Sequence, residues 1–300
     1  MSRFLADVAG SDAFGLAVIF GGFGVVVGVL FWLLAGREQP PPVGGALFAA
    51  AALGALHVVF RVPLAVVFGT AALAVAGVVG RTPWNRIIAC LPGSYLIVGV
   101  GELRGAPPVV ALTVAVAVAA AFTADFGQGG RDRGIGMPLL ALSTVGMIVT
   151  VPDTERAMAL VGAALPLALL GPPLRAVSLG SGGAAAVGVM GWVAATAWAG
   201  RPGATVGAIA SVGLLLAEPV GRRFARRQPT AMSLLMQGGA MATVSLLAIH
   251  GALVLGVSRI AGLIGGAAPA LIVAIVVLGV GAVLAAASAP TPTRKVPADS

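Results

Sequence analysis

The chain has 300 residues, of which 59% are hydrophobic and only 9% charged, and its mean hydropathy is +1.05. A soluble domain carries about 25% charged residues, so this composition excludes an ordinary water-soluble globule and points to a bilayer as the solvent. The net charge of +8 does not indicate nucleic-acid binding, because the basic residues are scattered through short connections instead of gathering on one domain.

Measured against the roughly 20 apolar residues that cross a bilayer, the sequence predicts helices near 14–35, 43–60, 63–80, 86–101, 107–124, 135–152, 157–172, 176–199, 203–217, 229–256 and 261–288. The first run follows Arg3, Asp7 and Asp12 and is too long for a signal-peptide core, so it reads as a retained helix. Proline marks most boundaries, at Pro40 to Pro42, Pro63, Pro83, Pro107-Pro108, Pro138, Pro152, Pro172-Pro173, Pro202, Pro219 and Pro229. The runs 86–101, 157–172 and 203–217 are short enough to be half-helices or re-entrant segments, which sets the count at ten or eleven. Residues 289–300, rich in Pro, Thr and charge, are expected to form a disordered cytoplasmic tail after a single transmembrane domain over 1–288.

None of the charged residues needs to sit inside an apolar run. With eleven spans, Arg37, Arg81, Arg86, Arg131, Arg133, Arg175, Arg222, Arg223, Arg226, Arg227, Arg294 and Lys295 fall on one side. Arg3, Arg61, Arg104, Arg156, Arg201 and Arg259 fall on the other. The richer side is expected to be cytoplasmic, leaving the N-terminus outside the inner membrane of a bacterium. The cluster Arg222, Arg223, Arg226 and Arg227 reads as an anchor against anionic lipid headgroups. Small-xxx-small pairs such as Gly24/Gly28 and Gly203/Gly207 imply close helix packing.

Two segments concentrate the polarity left within the spans. Cys90-Leu91-Pro92-Gly93-Ser94-Tyr95 holds the only cysteine and the only tyrosine, and its Pro-Gly step predicts a broken helix. Interrupted spans often carry transport sites, so Pro92, Gly93, Ser94 and Tyr95 are candidate substrate-binding residues; the bland alternative is a proline kink satisfied by a neighbouring helix. The run 229–256 supplies the other candidates, Ser233, Gln237 and His250, with interhelical hydrogen bonding as their bland alternative. His57 and Arg61 form an i,i+4 pair suited to headgroup contact.

Carboxylates suggest a different class. Glu102, Asp153 and Glu155 lie on the predicted outer side, where they would serve a membrane enzyme as acid–base groups. Asp153 followed by Glu155 is equally a helix start, a cap with a first-turn acid. The glycine-rich loop from Asp125 to Gly134 lacks a Walker lysine and reads as a cytoplasmic turn. One cysteine excludes an internal disulfide, and no metal or cofactor is expected. The sequence therefore predicts an all-α, polytopic transmembrane helix bundle. Its leading function is a transporter or lipid-precursor flippase; the alternatives are the outer-leaflet enzyme and a scaffold of an envelope-synthesis complex that holds partner proteins.

Overall fold

A computed structural model describes residues 12–35, 41–80, 82–100, 106–127, 136–171, 174, 177–197 and 202–213, with isolated positions from 215 to 260. The expected spans 229–256 and 261–288 and the tail 289–300 lie outside the described residues. Within them every element is helical, as the Ala-, Leu- and Val-rich runs dictate. The helices are α1 Asp12–Leu34, α2 Gly44–Phe60, α3 Leu64–Val79, α4 Pro83–Gly99, α5 Ala106–Thr123, α6 Gly136–Thr150, α7 Thr154–Leu169, α8 Gly183–Thr196 and α9 Pro202–Ser211. A 3-10 turn, Ala124–Gly127, extends α5.

By length and composition, α1 is long and apolar enough to cross a membrane. Gly44–Phe60, Leu64–Val79, Pro108–Thr123, Gly136–Ile148 and Gly183–Thr196 are apolar but shorter.

Local chemistry sets the ends. Thr82 accepts a hydrogen bond from Asn85 N at 3.3 Å, and Pro83 occupies the first helical turn, so α4 begins three residues before the run predicted at 86. Arg61 closes α2 in a left-handed conformation, φ 54°, with its N–H donating to His57 O. Both His57 and Arg61 are exposed.

The main departure from the sequence expectation falls in 176–199. Among the described residues of that run, Gly183–Thr196 is helical, and Val177–Gly180 is non-helical and buried. Ser and Gly are poor helix formers, and this segment finds its backbone partners elsewhere. Gly44 N donates to Ser178 O at 2.7 Å and Gly45 N to Leu179 O at 3.0 Å, while Ser178 N donates to Pro41 O at 3.0 Å. Amides that the first turn of α2 would otherwise leave orphaned are satisfied by this segment.

Helix α8 forms the centre. Every residue from Gly183 to Ala195 is buried, and α2, α3, α4, α5 and α9 pack around it. The helix α1 lies along α7, α3 along α4 and α4 along α5. Contacts fix the directions: a Cβ on Gly24 would meet Leu47 and Leu167, and one on Gly162 would meet Phe14 and Ala17, so α1 runs antiparallel to α2 and parallel to α7. One continuous buried cluster extends from Ala13 to Leu215.

Candidate functional site

The alternating directions bring the start of α4 and the ends of α3 and α5 to one end of the bundle, and Arg86 sits among them. It is 1% exposed, the largest fully buried side chain among the described residues. Its Nε and Nη2 donate to Gly80 O at 3.1 and 2.7 Å, and its Nη1 donates to Ala121 O at 3.2 Å and to Asp125 Oδ1. Four of the five guanidinium N–H donors are thereby used. The two carbonyls belong to the C-terminal ends of α3 and α5, where the helix dipole favours a cation. Asp125, itself mostly buried, completes the neutralisation.

Both charges stay at helix ends, but Arg86 is buried there instead of lying in an exposed connection, and Asp125 is held by it in place of the expected cytoplasmic turn. Arg86 lies within the first turn of α4, and Asp125 lies in the 3-10 turn that prolongs α5. A signal was present in the sequence: Arg86, Cys90, Gly93 and Ile97 follow i, i+4, i+7, i+11 and so share one face, which Thr82-Pro83 places wholly within the helix.

Beside this latch lies the irregular segment 177–182. A Cβ on Gly77 would stand 2.5 Å from Ser181 O and 3.4 Å from Ala124, and one on Gly183 would stand 2.7 Å from Thr123 Cγ2. The latch, the 3-10 turn and the non-helical segment therefore form one contiguous structure.

The expected break at 90–95 does not occur. Helix α4 continues through Pro92, and its interruption is a correction to the sequence reading. Pro92 and Tyr95 face outward, whereas Gly93 and Ser94 are buried. Gly93 meets Gly69 of α3, each lying where a Cβ would come within 2.8 Å of the other's carbonyl oxygen. Close approach of α3 supports the helix across the proline, so the four candidates do not converge on one cavity wall. Ser233, Gln237 and His250, with Arg222, Arg223, Arg226 and Arg227, lie outside the described residues, as does Glu102.

At the opposite end, Asp153 caps α7, accepting from Arg156 N at 3.3 Å, with Glu155 in the first turn. Arg156 Nε lies 3.0 Å from Asp153 Oδ2, and its guanidinium covers the Phe60 ring at 4.9 Å and the Trp192 ring at 5.7 Å. The carboxylate is thus committed to a cap and an ion pair that tie α2, α7 and α8 together. Asp153→Ala is expected to lower stability by about 1 kcal/mol, the usual value of an N-cap. Thermal unfolding of the purified protein in detergent checks this, and an unchanged midpoint would remove the capping role.

No protein family, curated protein or solved structure matches the chain.

Proposed function

We propose that the chain is a polytopic membrane protein that carries a solute or lipid precursor across a bacterial inner membrane, with Arg86 and Asp125 latching its cytoplasmic end. Membrane embedding is supported by the large apolar side chains on the outer faces. The interior is rich in Ala, Gly and Val beside larger groups such as Phe48, Leu73 and Met147, while large apolar groups such as Phe23, Phe31, Leu64, Phe68, Val78 and Ile88 are exposed on the outer faces. Water-soluble monomers rarely display contiguous apolar surface on this scale.

The charges on the nine helices and the 3-10 turn agree with that geometry. Asp12, Arg61, Asp153, Glu155 and Arg156 lie at one set of helix ends, and Arg86 with Asp125 at the other. Helices of 14–23 residues from α1 to α8 span about 21–35 Å, bracketing the roughly 30 Å hydrocarbon layer. The shortest of them, α8, is extended in depth by the segment 177–182. Non-helical backbone is tolerated at such depth where protein buries it or where it lines a cavity.

The transport reading is carried by the Arg86–Asp125 pair. Burying an ion pair inside the end of an apolar bundle is costly, and ionisable residues that face a bundle interior are candidates for a pathway. Here the pair joins three helix ends beside irregular backbone, so losing the ion pair is expected to loosen that end of the bundle while the hydrogen bonds to Gly80 and Ala121 remain. In the eleven-span topology read from the sequence that end is the one richer in arginine, which supports a cytoplasmic placement.

The test uses the full chain in proteoliposomes of phosphatidylethanolamine and phosphatidylglycerol, with NBD-labelled phosphatidylglycerol and radiolabelled glycerol as probes. Flux of either probe above that of protein-free vesicles is expected, and Asp125→Asn is expected to raise it by weakening the latch. Wild-type and Asp125→Asn flux both equal to that of empty vesicles would overturn the reading, and a stoichiometric co-purifying protein would then favour the scaffold.

A further inference from the structure

Helices commonly end on a residue in the left-handed conformation, and glycine is the usual occupant because it has no Cβ to strain. Helix α2 ends this way on an arginine. Arg61 has φ 54° and ψ 65°, and it is the non-glycine residue with positive φ among the described residues. A backbone outlier of this kind directs attention to its side chain, because glycine would make the same turn without the strain.

The turn fixes the backbone on both sides of Arg61. Its N–H donates to His57 O at 3.0 Å, the next residue, Val62, is buried, and Pro63 O accepts from Val66 N at 3.0 Å to start α3. The arginine itself is exposed. Among the described residues its guanidinium has no hydrogen bond, ion pair or ring contact, whereas Arg86 is paired with Asp125 and Arg156 with Asp153. Asp12 and Glu155, the other described acids at this end, belong to α1 and α7 and form no ion pair with it.

The surroundings select a ligand. Val58 before the turn and Leu64 and Phe68 after it are 63%, 69% and 65% exposed. Leu64 and Phe68 are spaced i,i+4 on α3 and share a face. A cation at a helix end next to an exposed apolar face suits an amphiphile with an anionic head. The acyl chain covers the face, and a phosphate accepts from the guanidinium through two parallel N–H groups. A soluble anion would leave the apolar side chains uncovered, and a zwitterionic lipid brings its own cation to its phosphate.

We propose that Arg61 binds the headgroup of an anionic phospholipid in the outer leaflet, and that this contact offsets the left-handed strain at the end of α2. The assignment rests on the membrane embedding proposed above and is independent of transport.

The experiment uses the full chain in a neutral detergent, titrated with phosphatidylglycerol or phosphatidylcholine, with bound lipids counted by native mass spectrometry. Wild type is compared with Arg61→Gly, which removes strain and charge together, and with Arg61→Gln, which keeps the Cβ and removes the charge. Both variants are expected to bind one phosphatidylglycerol fewer than wild type at the same lipid concentration, with phosphatidylcholine counts unchanged. Basic sites elsewhere contribute equally to all three proteins. Equal phosphatidylglycerol counts would overturn the proposal, and so would a matching loss of phosphatidylcholine. If inorganic phosphate erases the difference between wild type and the variants, the site takes a free anion and the lipid assignment falls.

Unfolding midpoints separate strain from charge. Without lipid, Arg61→Gly is expected to unfold a few degrees above Arg61→Gln. Added phosphatidylglycerol is expected to raise the midpoint of wild type more than that of either variant, since a ligand that binds the folded state stabilises it. An Arg61→Gly midpoint at or below that of Arg61→Gln would show a turn without strain and overturn the offset. A chain that stays in solution without detergent would remove the membrane embedding itself, whereas lipid counts that do not differ remove this site alone.

Discussion

Arg86→Ala is expected to destabilise the protein by about 3–5 kcal/mol, the cost of removing one member of a buried, hydrogen-bonded ion pair. Three acceptors lose their donor at once: the Gly80 and Ala121 carbonyls and the Asp125 carboxylate. Arg86→Lys is not expected to restore stability, because a single ammonium cannot reproduce the planar fork that addresses Gly80 O through two nitrogens and Ala121 and Asp125 through a third. Asp125→Asn should cost less, since the amide oxygen still accepts from Nη1 while the charge compensation is lost. Thermal unfolding in one detergent, wild type against the three variants, checks the order. An alanine variant within 1 °C of wild type would show that the pair carries no structural load, given that about 1 kcal/mol moves the midpoint of a protein this size by a few degrees.

The second large effect is expected at Gly180. Its φ of +61° lies in the left-handed region, which costs a residue with a Cβ about 1–2 kcal/mol. A Cβ would also meet the backbone carbonyl of Pro42, which cannot swing aside because Pro41 and the start of α2 are bonded to Ser178 and Leu179. With the overpacking term of about 1–3 kcal/mol, Gly180→Ala is expected to cost about 2–5 kcal/mol. Gly15→Ala is the matched control: nothing lies within 4 Å of that Cβ, and the helix favours alanine by up to about 1 kcal/mol. Folded yield and unfolding midpoint of both variants test the contrast. Equal midpoints would mean that 177–182 does not hold the start of α2.

Both effects come from one end of the bundle, where the sequence reading placed Arg86 at the start of the run 86–101 and Gly180 inside the run 176–199. Arg86 was expected on the cytoplasmic side at the boundary of its span, and Asp125 in a glycine-rich turn. Each assignment follows the rule that charges mark boundaries. The rule fails at this point because α4 starts earlier than its apolar run, at the Thr82 cap, which draws the arginine into the helix. Three converging sets of acceptors then make burial tolerable. No local pattern in 80–90 discloses that the end of α5 supplies two of them.

The reading of 90–95 shows the converse. Pro-Gly in a short run suggests a break when the chain is considered alone. Gly93, however, lets α3 approach closely, and that packing keeps α4 continuous. Ser94 survives as a residue of interest for a different reason: its hydroxyl is buried without a partner. Asp153 was legible as a cap from its spacing, because capping is a local interaction between a side chain and amides within three residues.

The sequence by itself determined the apolar character of the elements, their helical type, most of their boundaries and the confinement of charge to their ends. These follow from composition, periodicity and proline placement, which act over a single turn or a single run. Only the tertiary structure decided that α8 is the central helix, that 177–182 forgoes helix to complete the start of α2, and that Arg86 pairs with Asp125 39 residues away. Those outcomes depend on which backbone donors and acceptors meet once the helices pack. In an Ala- and Gly-rich chain many pairings look alike in sequence, and only three-dimensional contact distinguishes them.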